Sequence, residues 1–317
     1  MARSLTEEDR QKFIAAADHA VQFGQFSLQV FNDIVLKNPD YVRWIMSDTY
    51  THETYYMGMV DKNNQANFYD GDLRIIRPDG KELVKFAPRD YLRHIAEHVE
   101  SWSYVKFCYL KNVGWKGFVG GPDSGVYAVG PLARLNVSEG MATPLAHKAY
   151  EHFYSTLEGK PVHHTLATHW ARLIEMLYAA ERLQQLARDA SVVSSDIRNI
   201  PTEEPHEGVG VVEAPRGTLI HHYQSDAQGL ITGANLIVAS QNNSARIAMS
   251  VDKSAKGLIR EGKVDDGLLN MVEMAFRAYD PCNGCATHAL PGQMPLLARI
   301  YGPDGRLLQQ IERGEGS

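Results

Sequence analysis

The chain has 317 residues, a formal net charge of −6 and no basic block, so it does not read as a nucleic-acid binder. Hydrophobic residues make up 44%, enough for a large core, and 3 cysteines are too few for a disulfide framework. The opening MARSLTEEDR is acidic and lacks an apolar signal core, and no run reaches the ~18 apolar residues of a membrane span, which predicts a soluble cytoplasmic protein.

A long helix is predicted from about Thr6 to Lys37. Thr6 and Asp9 resemble a capping box, Glu7 and Glu8 suit the positive end of the dipole, and Phe13, Ala17, Ala20, Leu28, Phe31 and Val35 recur at helical spacing. Gly24 interrupts that stripe and marks a candidate close helix contact. Asn38-Pro39 ends the helix, and a short one follows with Pro39 in its first turn. Residues 54–86 read as β-rich around the turn Arg77-Pro78-Asp79-Gly80. Helix is expected again over Arg89–Val99, a Gly-rich loop over Gly114–Gly130, and a second long helix from Thr165 to Ala190. Residues 208–240 read as strands, followed by helices over Asn243–Ile259 and Asp265–Tyr279. Leu296–Tyr301 and Leu307–Ile311 form a final hairpin around Pro303-Asp304-Gly305. Runs of helix with β inserts, rather than alternating strand and helix, predict an α+β fold, mainly α, with a large helical core and β-hairpin inserts.

The most informative stretch is Asp280-Pro-Cys-Asn-Gly-Cys-Ala-Thr-His288. Cys282 and Cys285 can turn toward one point, and as thiolates they suit nickel, iron, zinc or Cu(I) better than magnesium or calcium. A structural zinc site would need a fourth ligand beyond Cys282, Cys285 and His288, and the remaining cysteine, Cys108, is alone. A thioredoxin-like pair would follow a βαβ pattern, and none precedes this one. Covalent haem attachment needs the histidine directly after the second cysteine, whereas Ala286 and Thr287 intervene. The neighbouring histidines His163, His164 and His169 read as ordinary helix surface, and His221 and His222 as alternate faces of a strand.

Four stretches together carry a resemblance to the large, catalytic subunit of nickel–iron hydrogenases, most of all the soluble multi-subunit type. They are the nonapeptide, Glu213-Ala-Pro-Arg-Gly-Thr-Leu219 with His221-His222-Tyr223, Gly130-Pro-Leu-Ala-Arg-Leu-Asn136, and Leu236-Ile-Val-Ala-Ser-Gln-Asn-Asn243. The resemblance implies Cys282 as a terminal nickel ligand and Cys285 as the thiolate bridging nickel and iron, with cyanide and carbon monoxide on the iron. It implies Pro215 and Arg216 beside those iron ligands, with Asp280 paired to Arg216 above the metals, so that Arg216, Asp280 and Cys282 form the catalytic group. It implies His288 as the ligand of a separate magnesium or iron ion.

The implied reaction is reversible heterolytic cleavage of dihydrogen. Electrons would pass through an iron–sulfur small subunit, and a diaphorase or other electron-transfer subunit, to a soluble carrier such as NAD(P). A maturation protease and nickel chaperones are implied as further partners. The family places a first Cys-x-x-Cys pair, with its proton-relay glutamate, in a segment that this sequence does not contain, so the chain alone is expected to be inactive. Residues 1–288 are expected to form the C-terminal part of the large-subunit domain, and 289–317 a removable C-terminal extension. Two other readings compete: a non-catalytic scaffold related to the quinone-site subunit of respiratory complex I, and a zinc-stabilised structural protein.

Overall fold

The computed structural model describes residues 4–200, 202–287 and 296–313. Helix α1 spans Glu7–Phe31, and both halves of the capping box form: Thr6 Oγ1 accepts from the Asp9 N–H, and the Asp9 carboxylate accepts from the Thr6 N–H. One π-helical turn, Asn32–Leu36, leads to α2 (Pro39–Ile45), capped by Asn38. Strands β1 (Tyr55–Val60), β2 (Asp72–Ile76) and β3 (Glu82–Phe86) form an antiparallel meander turned by residues 77–80.

The helix expected over Arg89–Val99 does not form as one element. A 3-10 turn and α3 (Tyr91–His94) give way to β4 (Ile95–His98), because those residues pair with β5 (Phe107–Leu110). Strand β6 (Tyr127–Ala128) joins β1 in parallel, giving the order β3-β2-β1-β6, which is more than a hairpin insert. Next come α4 (Pro131–Val137), α5 (Pro144–Thr156) and α6 (Thr168–Arg188). Helix α5 was not among the expected elements; Pro144 opens it, and Ala146, Tyr150 and Phe153 give it a buried face. Strands β7 (Glu207–Ala214), β8 (Gly217–Ser225) and β9 (Ile231–Ile237) form a second antiparallel sheet. The chain continues through α7 (Ala239–Asn242), α8 (Ser244–Leu258), α9 (Asp266–Arg277) and α10 (Asn283–Thr287). Strands β10 (Leu296–Tyr301) and β11 (Leu307–Arg313) pair as a two-stranded sheet.

The helical core lies among α1, α5 and α6, around Phe153, Trp170, Ile174 and Leu177. Gly24 sits where α1 and α6 touch: a Cβ there would come within 3.2 Å of the Leu177 backbone, so glycine permits the approach. A second core lies between the two sheets, where Met57, Met59 and Ile75 meet Val211, Ile220 and Ile237. Strand β1 is buried on both faces and carries Gly58 against Arg134 and Val137 of α4. The fold is therefore α+β, as expected. The expected domain boundary after His288 lies outside the described residues.

Candidate metal centre

The β7–β8 turn carries Pro215 and Arg216, and three of the four motif stretches meet behind it. Gly217 has φ +136°, and a Cβ there would lie 2.2 Å from the Val129 side chain. Only glycine fits that approach. Asn243 accepts from the Val129 N–H (2.9 Å) and donates to the Arg216 carbonyl (3.3 Å), fastening the turn to the loop before α4.

Arg134 of α4 supports the same turn. Its Nη1 donates to the Ala214 carbonyl (2.9 Å) and its Nη2 to the Pro215 carbonyl (3.3 Å). Its fork also holds Glu175 at 2.6 Å through Nε and Nη2, and Glu213 at 2.7 Å through Nη1. Glu213 accepts further bonds from the Met59 N–H (3.0 Å) and the Thr218 hydroxyl (2.8 Å). Burial pushes the Glu213 carboxyl up, opposed by Arg134 and Thr218, which favour the carboxylate. The turn is thus held by a fully buried, hydrogen-bonded charge cluster.

In front of the turn, Arg216 Nε donates to the Asp280 carbonyl and lies 3.2 Å from its Oδ2. Both side chains are partly exposed, at 39% and 49%. Asp280 adopts φ +51°, a left-handed conformation that turns the chain from α9 toward the cysteines. Arg172 of α6 braces this corner by donating to the Ala278 carbonyl (2.8 Å). Ser240 accepts from the Cys282 N–H (3.0 Å), which ties the cysteine loop to α7.

Cys282 and Cys285 are joined as a disulfide with their Cα atoms 5.3 Å apart, so both sulfurs do turn to one point. Opened by reduction, the pair would present two thiolates to one soft metal. Cys108 is no third donor: it is fully buried beside the Tyr127 hydroxyl, and burial pushes its thiol well up. Among the described residues no group of three or more His, Cys, Asp or Glu gathers as a ligand set. The described residues thus offer two sulfur donors, Cys282 and Cys285, to a metal. His288 lies outside the described residues.

Three of the histidines singled out in the sequence take up bonds within the fold. His163 Nδ1 pairs with the Tyr56 hydroxyl (2.9 Å), His164 Nδ1 with Thr51 (2.8 Å), and His222 Nδ1 with the Tyr91 hydroxyl (3.0 Å). His163 and His164 precede α6 rather than lying on a helix surface, whereas His169 is exposed on α6. His221 and His222 do alternate in burial along β8.

Arg134, Glu175, Asn243, Ser240 and Arg172 received no role from the sequence. The available signal was charged or amide residues set among apolar ones within motif stretches, as in Leu132-Ala-Arg-Leu135.

A family model for nickel-dependent hydrogenases matches residues 30–288. The chain is 46% identical over 311 residues to an F420-non-reducing hydrogenase iron–sulfur subunit of Archaeoglobus profundus, covering 98% of this chain and 64% of the relative. It is 38% identical over 320 residues to NAD-reducing hydrogenase HoxS subunit beta of Cupriavidus necator, covering 98% and 62%. The crystal structure of an NAD+-reducing [NiFe]-hydrogenase in the H2-reduced state superimposes with a TM-score of 0.82 at 34% identity, over 90% of this chain and 61% of that one. The chain belongs to the nickel-dependent hydrogenase family and has the large-subunit fold. It spans just under two thirds of the length of these relatives. Among the described residues no helix is long and apolar enough to cross a membrane.

Proposed function

We propose that this chain acts in the catalytic large subunit of a cytoplasmic nickel–iron hydrogenase that cleaves dihydrogen reversibly. The observation that carries this reading is the Cys282–Cys285 pair set beside the Arg216–Asp280 contact. Cys282 and Cys285 would hold the centre as terminal and bridging thiolates, and two more thiolates must come from polypeptide beyond the present sequence. The nickel–iron centre, with cyanide and carbon monoxide on iron, supplies the redox chemistry when bound.

The chain's own residues orient the site. Asp280 takes Arg216 Nε, which leaves two terminal amino groups of a rigid, always-charged fork available as donors beside the centre. Pro215 fixes the backbone ahead of Arg216, and Arg134 holds both carbonyls before it. His288 would bind the magnesium or iron ion.

Electrons would leave through an iron–sulfur small subunit. One relative's name, NAD-reducing hydrogenase, supports a soluble acceptor reached through diaphorase-like or other electron-transfer subunits. Nickel chaperones and a protease that removes residues 289–317 would complete maturation. The self-paired β10–β11 hairpin supports an appendage. Intact-mass analysis of subunit from active complex should give a chain ending at His288; full activity with Ser317 retained would make the tail structural.

Metal analysis of the assembled complex tests the main reading. Nickel with iron, and dihydrogen-dependent dye reduction, are expected; zinc, or no metal, would overturn it. The 317-residue chain purified alone should show no dye reduction, since it contains only 3 cysteines.

A further inference from the structure

Arg246 of α8 is 1% exposed and has no ion-pair partner among the described residues. Its Nη1 donates to Thr54 Oγ1, and its Cζ lies 5.9 Å from the centre of the Tyr56 ring. Its Nε is buried without a hydrogen-bond partner. Thr165, 2% exposed, likewise has a buried hydroxyl with no partner. Both residues line one small cavity, with Thr168, Arg216 and Tyr279. About 10 Å³ of it is open to the centre of a water-sized sphere. That is room for one small guest.

A water there would satisfy the Nε–H and leave the charge uncompensated in a dry interior, which is the costlier defect. Carboxylate, sulfate and phosphate are too large for it. The Tyr56 and Tyr279 hydroxyls also bond Arg246, besides meeting His163 (2.9 Å) and Ser250 (2.9 Å), but a hydroxyl supplies no full counter-charge to a guanidinium. The guest must accept from the Arg246 Nε–H and the Thr165 O–H. We infer that this cavity binds a single chloride-sized monovalent anion, held by Arg246 and Thr165. The site needs no metal centre and does not depend on the function proposed above.

Bromide-soaked crystals of the full-length protein in its native complex should show an anomalous peak within hydrogen-bond distance of Arg246 Nε. At constant ionic strength, the Tm should be about 2 °C higher in chloride than in gluconate, which is too large for the cavity. Arg246→Met should abolish that difference. If this variant does not fold, Thr165→Val should reduce it. Density that refines as water without anomalous signal overturns the inference. So does a bromide peak with equal Tm in the two salts, which would mark an adventitious ion only, or a chloride effect that survives Arg246→Met.

Discussion

Arg134 and Arg246 are equally buried, each 1% exposed, and their surroundings are opposite. Arg134 meets two carboxyl groups and two carbonyls, so its charge is met inside its own chain. Arg246 meets only neutral groups, the Thr54 hydroxyl and the Tyr56 and Tyr279 side chains. A buried charge that the chain neutralises belongs to the fold, and here it fixes the turn that carries Arg216. A buried charge that the chain leaves uncompensated points to something the chain binds.

The comparison breaks most readily at Arg134. Arg134→Met strands Glu175 and Glu213 in the interior, and the expected loss is about 3–5 kcal/mol of folding free energy, read from denaturant unfolding. A loss under about 1 kcal/mol would mean that the two carboxylates find protons or water without cost, and that the cluster is not what holds the turn.

His52 sharpens the Arg246 side. It is 7% exposed, its Nε2 has no partner, and burial, with Arg246 and Lys253 nearby, pushes its pKa down to about 3. The unfolded chain takes up a proton there near pH 6.5, whereas the folded protein refuses it until about 3. The unfolded state therefore binds more protons in that window, and stability falls as pH falls, by at most about 1.4 kcal/mol per pH unit. His52→Gln should remove this slope between pH 6 and 4.5, measured as the difference between variant and parent unfolding curves. Equal slopes would show that His52 charges in place.

Arg246→Met, compared in gluconate, should change stability by less than about 1 kcal/mol, because it removes a desolvated charge along with its hydroxyl contacts. A loss as large as that of Arg134→Met would erase the distinction between the two arginines.

Local chemistry was readable in the sequence wherever a short stretch decides the outcome. Thr6, Asn38 and Asp265 cap helices as their side chains suggest, and the turn at residues 77–80 joins two strands. Residues 95–98 were misread as helix because only Phe107–Leu110, across the sheet, makes them a strand. The charge cluster was hidden for the same reason: Glu175 and Glu213 lie 41 and 79 positions from Arg134, and no periodicity links them. Arg216 and Asp280, 64 positions apart, were joined only through the family resemblance. Periodicity also misplaced Phe13, which is 44% exposed.

The smallest expected effect on stability lies between the two buried arginines, at Arg216. Its contact with Asp280 is partly exposed on both sides, and such pairs contribute about 0–1 kcal/mol. Arg216→Lys keeps the charge, so unfolding should shift by less than about 0.5 kcal/mol and nickel content should stay near normal. Lysine cannot hold Asp280 through one nitrogen while offering two others in a fixed plane. Dihydrogen-dependent dye reduction by the assembled complex should therefore fall by about tenfold or more, as expected when a group that orients a metal's surroundings is lost. A variant that keeps activity within a factor of about two would reduce Arg216 to an ion-pair residue. A variant that loses stability and activity together would place Arg216 with Arg134, as part of the fold rather than of the chemistry.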